Sequence, residues 1–163
     1  MSAITIPAPL IRNAADAERR WFYGGGIVTW LAKAEDTCGT FLLSETEMEQ
    51  GKVTPLHTHP ADESMFVLEG EILMHMDGHE SIVRTGGLAI APRGVPHAFK
   101  VLSPVARVLA LHTPGTCEAF YMGASEPIGP DVVSGPVDFN RITASGRENG
   151  GFELVGPPPF ATD

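Results

Sequence analysis

Cysteine, basic residues and long apolar runs are all scarce in this chain, and each scarcity narrows what it can be. Only Cys38 and Cys117 are present among 163 residues, and they form no close pair. Two buried, reduced thiols are expected, with a disulfide between them as the alternative. Lys and Arg together number 11 against 20 Asp and Glu, giving a net charge of −9 and a pI near 5.0. That balance argues against a nucleic-acid partner or an anionic membrane surface. No run of 18 apolar residues occurs, so no transmembrane helix is expected. The stretch Met1–Leu10 lacks a basic segment followed by an apolar one and does not read as a signal peptide, and no N-x-S/T acceptor occurs. The chain reads as cytoplasmic.

What is abundant is punctuation. The chain has 18 Gly and 14 Pro, nearly a fifth of its residues, which leaves little room for long helices and excludes a helical bundle. With 43% hydrophobic and 19% charged residues and a mean hydropathy of +0.04, a folded globule of one domain is expected. Pro7 and Pro9 precede a polar stretch, Asn13–Arg20, long enough for one or two helical turns. After Gly24-Gly25-Gly26 the texture turns to β. Short alternating or apolar runs cover 27–32, 40–46, 53–59, 64–68, 71–76, 81–84, 88–91, 97–102 and 107–113, roughly nine strands at the spacing of a sandwich or barrel. Asp77-Gly78 between two such runs is the strongest hairpin signal. Beyond Glu126 Pro and Gly dominate again, with one short helix expected over 137–144, capped by Asp138 and carrying Phe139 and Ile142 on one face. Pro157-Pro158-Pro159 reads as an extended surface tail.

Two stretches carry the chemistry. In the first, Gly51 is followed by His57, His59, Glu63 and Gly70. Two imidazoles two residues apart point to one face of an extended chain, and Glu63 joins them if the strand continues past Pro60 or bulges there. Two imidazoles and a carboxylate on one face make a site for a first-row divalent metal. In the second, Gly86, Pro92 and Gly94 form a turn that feeds a strand opening with His97.

These stretches resemble the two motifs of the cupin family, G-x5-H-x-H-x3,4-E-x6-G and G-x5-P-x-G-x2-H-x3-N. The first is met at every specified position; the second departs only at Val101, which stands where the pattern has Asn. The intervening Glu71–Thr85 is short, as in small bacterial members. The resemblance implies an all-β cupin barrel (a double-stranded β-helix or jelly roll) over about residues 21–122, within a single domain that begins with a short N-terminal segment. A C-terminal tail of about 123–163 would wrap it and carry the short helix. It implies one divalent transition metal per chain, Fe, Ni, Mn, Co, Cu or Zn, held by His57, His59, Glu63 and His97. With no Cys in either motif, the site reads as one with open positions and not as a closed structural zinc. The tail, with its Gly151-Phe-Glu-Leu-Val-Gly run, is similar to the ends of quercetin 2,3-dioxygenase-like bacterial monocupins. A homodimer is also implied.

Strand parity then sorts the remaining side chains. Met65, Val67, Ile72, Met74, Met76, Phe99, Val101, Val108, Ala110 and His112 are expected to face inward, and His75 and His79 outward. Met65, Met74, Phe99 and His112 are the expected substrate contacts; His112 reads equally as a substrate or ligand-supporting imidazole and as a cap on the barrel end. Trp21, Trp30 and Tyr121 read as packing or subunit contacts. Gly24–Gly26 precedes a strand and is not a phosphate loop. The implied pocket is apolar with a metal at one wall, suited to an aromatic or polyketide-like molecule. The leading expectation is a quercetinase-type dioxygenase using dioxygen on an enolic or phenolic substrate. Glu63 would be both ligand and catalytic base, its pKa raised by desolvation. A metal-dependent isomerase, lyase or cyclase without oxygen chemistry, and a non-catalytic small-molecule-binding cupin, are the alternatives.

Overall fold

The structure is a computed structural model that describes residues 7–129, 135 and 137–161; the first six residues of the Met1–Leu10 reading lie outside it. A 3-10 turn, Ala14–Asp16, leads into β1 (Glu18–Phe22), β2 (Ile27–Ala32), the helical turn α1 (Ala34–Thr37) and β3 (Leu42–Glu49). Then come β4 (Leu56–Thr58), β5 (Asp62–Glu69), β6 (Glu71–Met76), β7 (His79–Arg84), β8 (Leu88–Ala91), β9 (His97–Val101) and β10 (Val105–Thr113). The chain ends with α2 (Glu118–Gly123), β11 (Ser125–Pro127), α3 (Phe139–Asn149) and β12 (Glu153–Gly156).

Two sheets result, both antiparallel throughout. The first has seven strands in the order β11-β1-β2-β3-β10-β5-β8, the second five in the order β12-β4-β9-β6-β7. Neighbours such as β3–β10 and β4–β9 are far apart in sequence, so the chain passes repeatedly between the sheets, as expected of a jelly roll. The core fills the space between them. Met48, Met65, Val67 and Val108 from the first sheet meet Ile72, Met74 and Val101 from the second, all buried. Strands β3, β5, β6 and β10 show the period-2 burial that places one face inward, whereas β9 departs from it with His97 and Ala98 both buried. No helix among the described residues is long and apolar enough to cross a membrane.

Strands form in all nine expected runs, although that over 53–59 is confined to Leu56–Thr58. Asp77 and Gly78 both take positive φ, 48° and 77°, the two-residue turn whose twist matches a hairpin, and Met76 pairs with His79 across it. His79 is exposed, whereas His75 is half-buried against Phe160 at a ring separation of 6.2 Å. Trp21 and Trp30 are buried, as expected of packing residues.

The ends differ from the sequence reading. Only Ala14–Asp16 of the stretch Asn13–Arg20 is helical; Glu18–Arg20 belong to β1, where they pair with β2 from Trp30 to Val28. Arg20 is fixed there by Glu18 at 2.8 Å and by donating to Ser125 Oγ at 2.7 Å, so long-range pairing overrides a local helical preference. The tail is not merely a surface strand of prolines. Residues 153–156 form β12 and pair with β4, Leu154 lying opposite His57. Helix α3 runs past Gly146 to Asn149, where the sequence suggested an end at Ala144. A Cβ at Gly146 would lie 2.9 Å from the Phe152 carbonyl oxygen, so this glycine lets the tail pack close. Both cysteines are free, but only Cys117 is buried. Cys38 is exposed because it terminates α1 in the left-handed conformation, φ 52°.

Asp138 caps α3 as expected, its carboxylate accepting from the Asn140 and Arg141 amides at 3.1 Å. Asp138→Ala strands both donors and is expected to lower stability by about 1 kcal/mol, measured as a lower urea midpoint with unchanged slope. An unchanged midpoint would remove the cap from the account of α3.

Candidate metal centre

The two sheets meet at one cluster. His57 in β4 lies directly opposite His97 in β9, on the second sheet. Glu63 in β5 lies directly opposite His112 in β10, on the first. His59 falls in the link between β4 and β5, where Pro60 breaks the strand and the chain crosses between sheets. Glu63 therefore reaches the histidines from the facing sheet and not from a continued strand. The donor atoms of His57, His59, Glu63 and His97 lie within 4.8 Å of one another, and all four residues are buried.

Each of these three histidines is anchored in the same way. Nδ1–H of His57 donates to the Pro55 carbonyl at 2.8 Å, that of His59 to Ala61 at 2.7 Å, and that of His97 to Val95 at 2.9 Å. A carbonyl only accepts, so the hydrogen sits on Nδ1 and a neutral ring offers an Nε2 lone pair. Nε2 of His59 and of His97 each lie 3.0 Å from Glu63 Oε2. Two lone pairs and a carboxylate oxygen at that distance repel one another unless a cation lies among them. Bonds of about 2.0–2.2 Å let one ion bridge donors up to about 4.4 Å apart, close to the span seen here. Three imidazoles and one carboxylate, with no thiolate, fit a divalent transition metal.

The electrostatics agree. Burial, reinforced by neighbouring His97, pushes His57 down to about 3 and keeps its ring neutral. Burial opposes charge on His59 as well, but the neighbouring Glu63 carboxylate outweighs this and raises it, favouring a cation, proton or metal, between the two. For Glu63 the expected direction is reversed. Burial does work to raise its pKa, but the charge and hydrogen bonding of His112, with the hydrogen bonds of His59 and His97, hold it well below the ordinary carboxylate range. Glu63 is thus held ionised, which suits a metal ligand and makes it a poor base.

A narrow cavity of about 80 Å³ opens from this cluster to solvent. Met65, Phe99 and His112 line it. Met74, expected at the substrate, instead packs in the core against Met48, Ile72 and Val101 and is not among the lining residues, because the core between the sheets closes over that position. His112 does not cap the barrel end. Its Nε2 lies 3.4 Å from Glu63 Oε1 and 3.1 Å from the Tyr121 hydroxyl, while its Nδ1 is buried without a partner. A hydrogen on Nε2, facing Glu63 Oε1 with the Tyr121 oxygen beside it, accounts for the first two contacts.

Three lining residues escape the sequence reading. Tyr121, taken as packing, reaches the site from α2; burial raises its phenol well above 10, so it stays protonated. Phe152 arrives with the tail and stacks on His57 at 5.0 Å, and no local pattern marks it. Lys52 has the wrong parity for an inward residue if the strand is counted back from His57. That strand begins only at Leu56, after Pro55, so the parity does not apply. Its ammonium lies 5.3 Å from the Phe22 ring and 5.6 Å from that of Phe99, and the side chain is buried.

Burial pushes Lys52 down to about 7, against the pull of Glu63. Below pH 7 the amine is charged in both folded and unfolded chains and the full cost of burying it is felt. From pH 7 to 10.5 only the unfolded chain keeps the proton, so that cost fades as pH rises. Lys52→Met is therefore expected to melt higher than the parent at pH 6, with the gap narrowing toward pH 10. A gap that does not change with pH would show that this amine is not desolvated.

Comparison with known proteins follows the same lines. Residues 44–112 match the family described as the cupin domain. Quercetin 2,3-dioxygenase of Bacillus subtilis is 25% identical over 120 residues, 73% of this chain but 35% of that protein, so the chain spans about a third of its relative's length. Among solved structures, an RmlC-like cupin from Shewanella frigidimarina superposes with a TM-score of 0.59 at 16% identity, over 68% of this chain and 95% of the other. The polyketide cyclase RemF from Streptomyces resistomycificus gives 0.56 at 25% identity, over 65% and 80% of the two chains. Because the matched segment runs from β3 through β10 and holds all four converging side chains, residues 44–112 form a cupin domain.

Proposed function

We propose that this chain is a metal-dependent dioxygenase of the quercetinase-like cupin type, acting on a planar enolic or phenolic aromatic or polyketide-like molecule. The observation that carries the reading is the donor set itself: three imidazoles and one carboxylate, converging at the end of an apolar cavity. Four protein ligands leave an ion with open positions for a substrate oxygen and for dioxygen. The relative from Bacillus subtilis is named for this activity.

In this reading His57, His59, Glu63 and His97 hold one divalent ion. When bound, that ion supplies Lewis acidity toward a substrate hydroxyl and a site for oxygen chemistry. The chain does the rest. Phe99 and Met65 shape a flat slot for the ring, and Phe152 covers His57 and keeps water from that side. Glu63 is too weakly basic to take the substrate proton for itself. His112 Nε2–H, beside the Tyr121 hydroxyl, points at Glu63 Oε1 and so orients the carboxylate. His112 thus acts as a positioning residue beside the ligands, and it lines the cavity.

A second reading, a metal-dependent cyclase without oxygen chemistry, draws on the similarity to RemF. It uses the same ligands and slot. A homodimer and a cytoplasmic location belong to the proposal as well. The homodimer has support in exposed Phe66, Leu88 and Ile90 on adjoining strands β5 and β8, with β8 at the sheet edge, where a second copy can cover them.

The reading is tested by oxygen uptake on adding quercetin to metal-depleted protein reloaded separately with iron, nickel, manganese or cobalt. Uptake is expected to require one of these metals. Glu63→Gln should lose it together with metal binding, the latter by at least about tenfold. Stoichiometric metal binding with ligand turnover but no oxygen consumption would favour the cyclase, and binding without turnover a non-catalytic cupin.

A further inference from the structure

Lys52 plays no part in holding a metal, yet it is buried in the wall of the same cavity. A buried ammonium is costly unless something pairs with it. The only carboxylate among the cavity-lining residues is Glu63, and both its oxygens are taken: Oε2 by His59 and His97, Oε1 by His112. Among the described residues no hydrogen-bond acceptor or carboxylate partners the ammonium of Lys52. Its neighbours are the rings of Phe22 and Phe99, which offer it only their weakly negative faces. A methionine of similar length would fill this place without the penalty. The ammonium is thus a cationic point in an apolar, aromatic-walled slot, with its partner missing from the protein.

We infer that Lys52 is the substrate-recognition residue of this cavity, and that its ligand is a planar aromatic acid whose anionic oxygen, carboxylate or ionised phenol, pairs with the Lys52 ammonium between Phe22 and Phe99. This deepens the functional reading above and rests on it in taking the cavity as the substrate site. It adds a second polar anchor, distinct from the metal, so a substrate is oriented by two points and by the walls between them. A molecule that offers an oxygen to the metal but no anion to Lys52 is bound without that orientation.

The test uses a matched pair of fluorescent probes, 2-naphthoate and the isosteric neutral 2-naphthamide, titrated into the full chain both metal-depleted and zinc-loaded. A charge-assisted hydrogen bond is worth about 1.5–3 kcal/mol, so the acid is expected to bind roughly 10- to 100-fold tighter than the amide in both forms. Lys52→Met should remove that preference while leaving the amide's affinity unchanged, and Lys52→Arg should restore most of it. The inference is overturned if Lys52→Met keeps the preference, if it weakens acid and amide alike, if the preference exists only with zinc, or if neither probe binds the parent. The two readings fail separately. Absence of oxygen uptake leaves the acid preference standing, and loss of the acid preference leaves oxygen uptake standing.

Discussion

Three imidazoles pinned through Nδ1 to backbone carbonyls, with their other nitrogens turned on one buried carboxylate, set the terms for the rest of this molecule. The carbonyls of Pro55, Ala61 and Val95 sit within two residues of the rings they hold, so local backbone shape fixes both ring orientation and tautomer. What remains is a ring of lone pairs around an anion, which is stable only around a cation. The sheets exist, from this standpoint, to bring the two halves of that ring together. Cross-strand register does so directly, with His57 against His97 in one sheet and Glu63 against His112 in the other.

The same constraint explains why the ends of the chain matter. Strand β12 adds to the edge of β4 and lays Phe152 on His57, while α2 brings Tyr121 to His112. Phe152 also stacks on Phe120 at 4.7 Å, tying the tail to α2. A cluster that would face solvent in the barrel alone is thereby enclosed. Enclosure raises the Tyr121 phenol, whereas for Glu63 the histidines turned on it outweigh the same burial.

Much of this was legible in the sequence. Strong period-2 alternation bounded by Gly, Pro and Asp marked the nine strands, and the spacing of His57, His59, Glu63 and His97 marked the cluster. What was not legible depends on partners distant along the chain. Glu18–Arg20 looks helical until β2 and Ser125 are beside it, and 153–156 is too short and too close to prolines to signal a strand without β4. Parity places Met74 inward correctly but cannot distinguish core from cavity. It also misplaces Lys52, because Pro55 interrupts the strand from which parity is counted. The direction of the Glu63 shift needed His112, a residue whose two readings the sequence left even. Burial alone pointed the wrong way.

The central claim is that one divalent ion sits among His57, His59, Glu63 and His97, and X-ray absorption spectroscopy of protein reloaded with a single metal addresses it most directly. The account predicts a first coordination sphere containing three imidazole nitrogens and a carboxylate oxygen at about 2.0–2.2 Å, with the imidazole count falling to two in His97→Ala. A sulfur ligand, or a parent spectrum with fewer than three imidazoles, would contradict it.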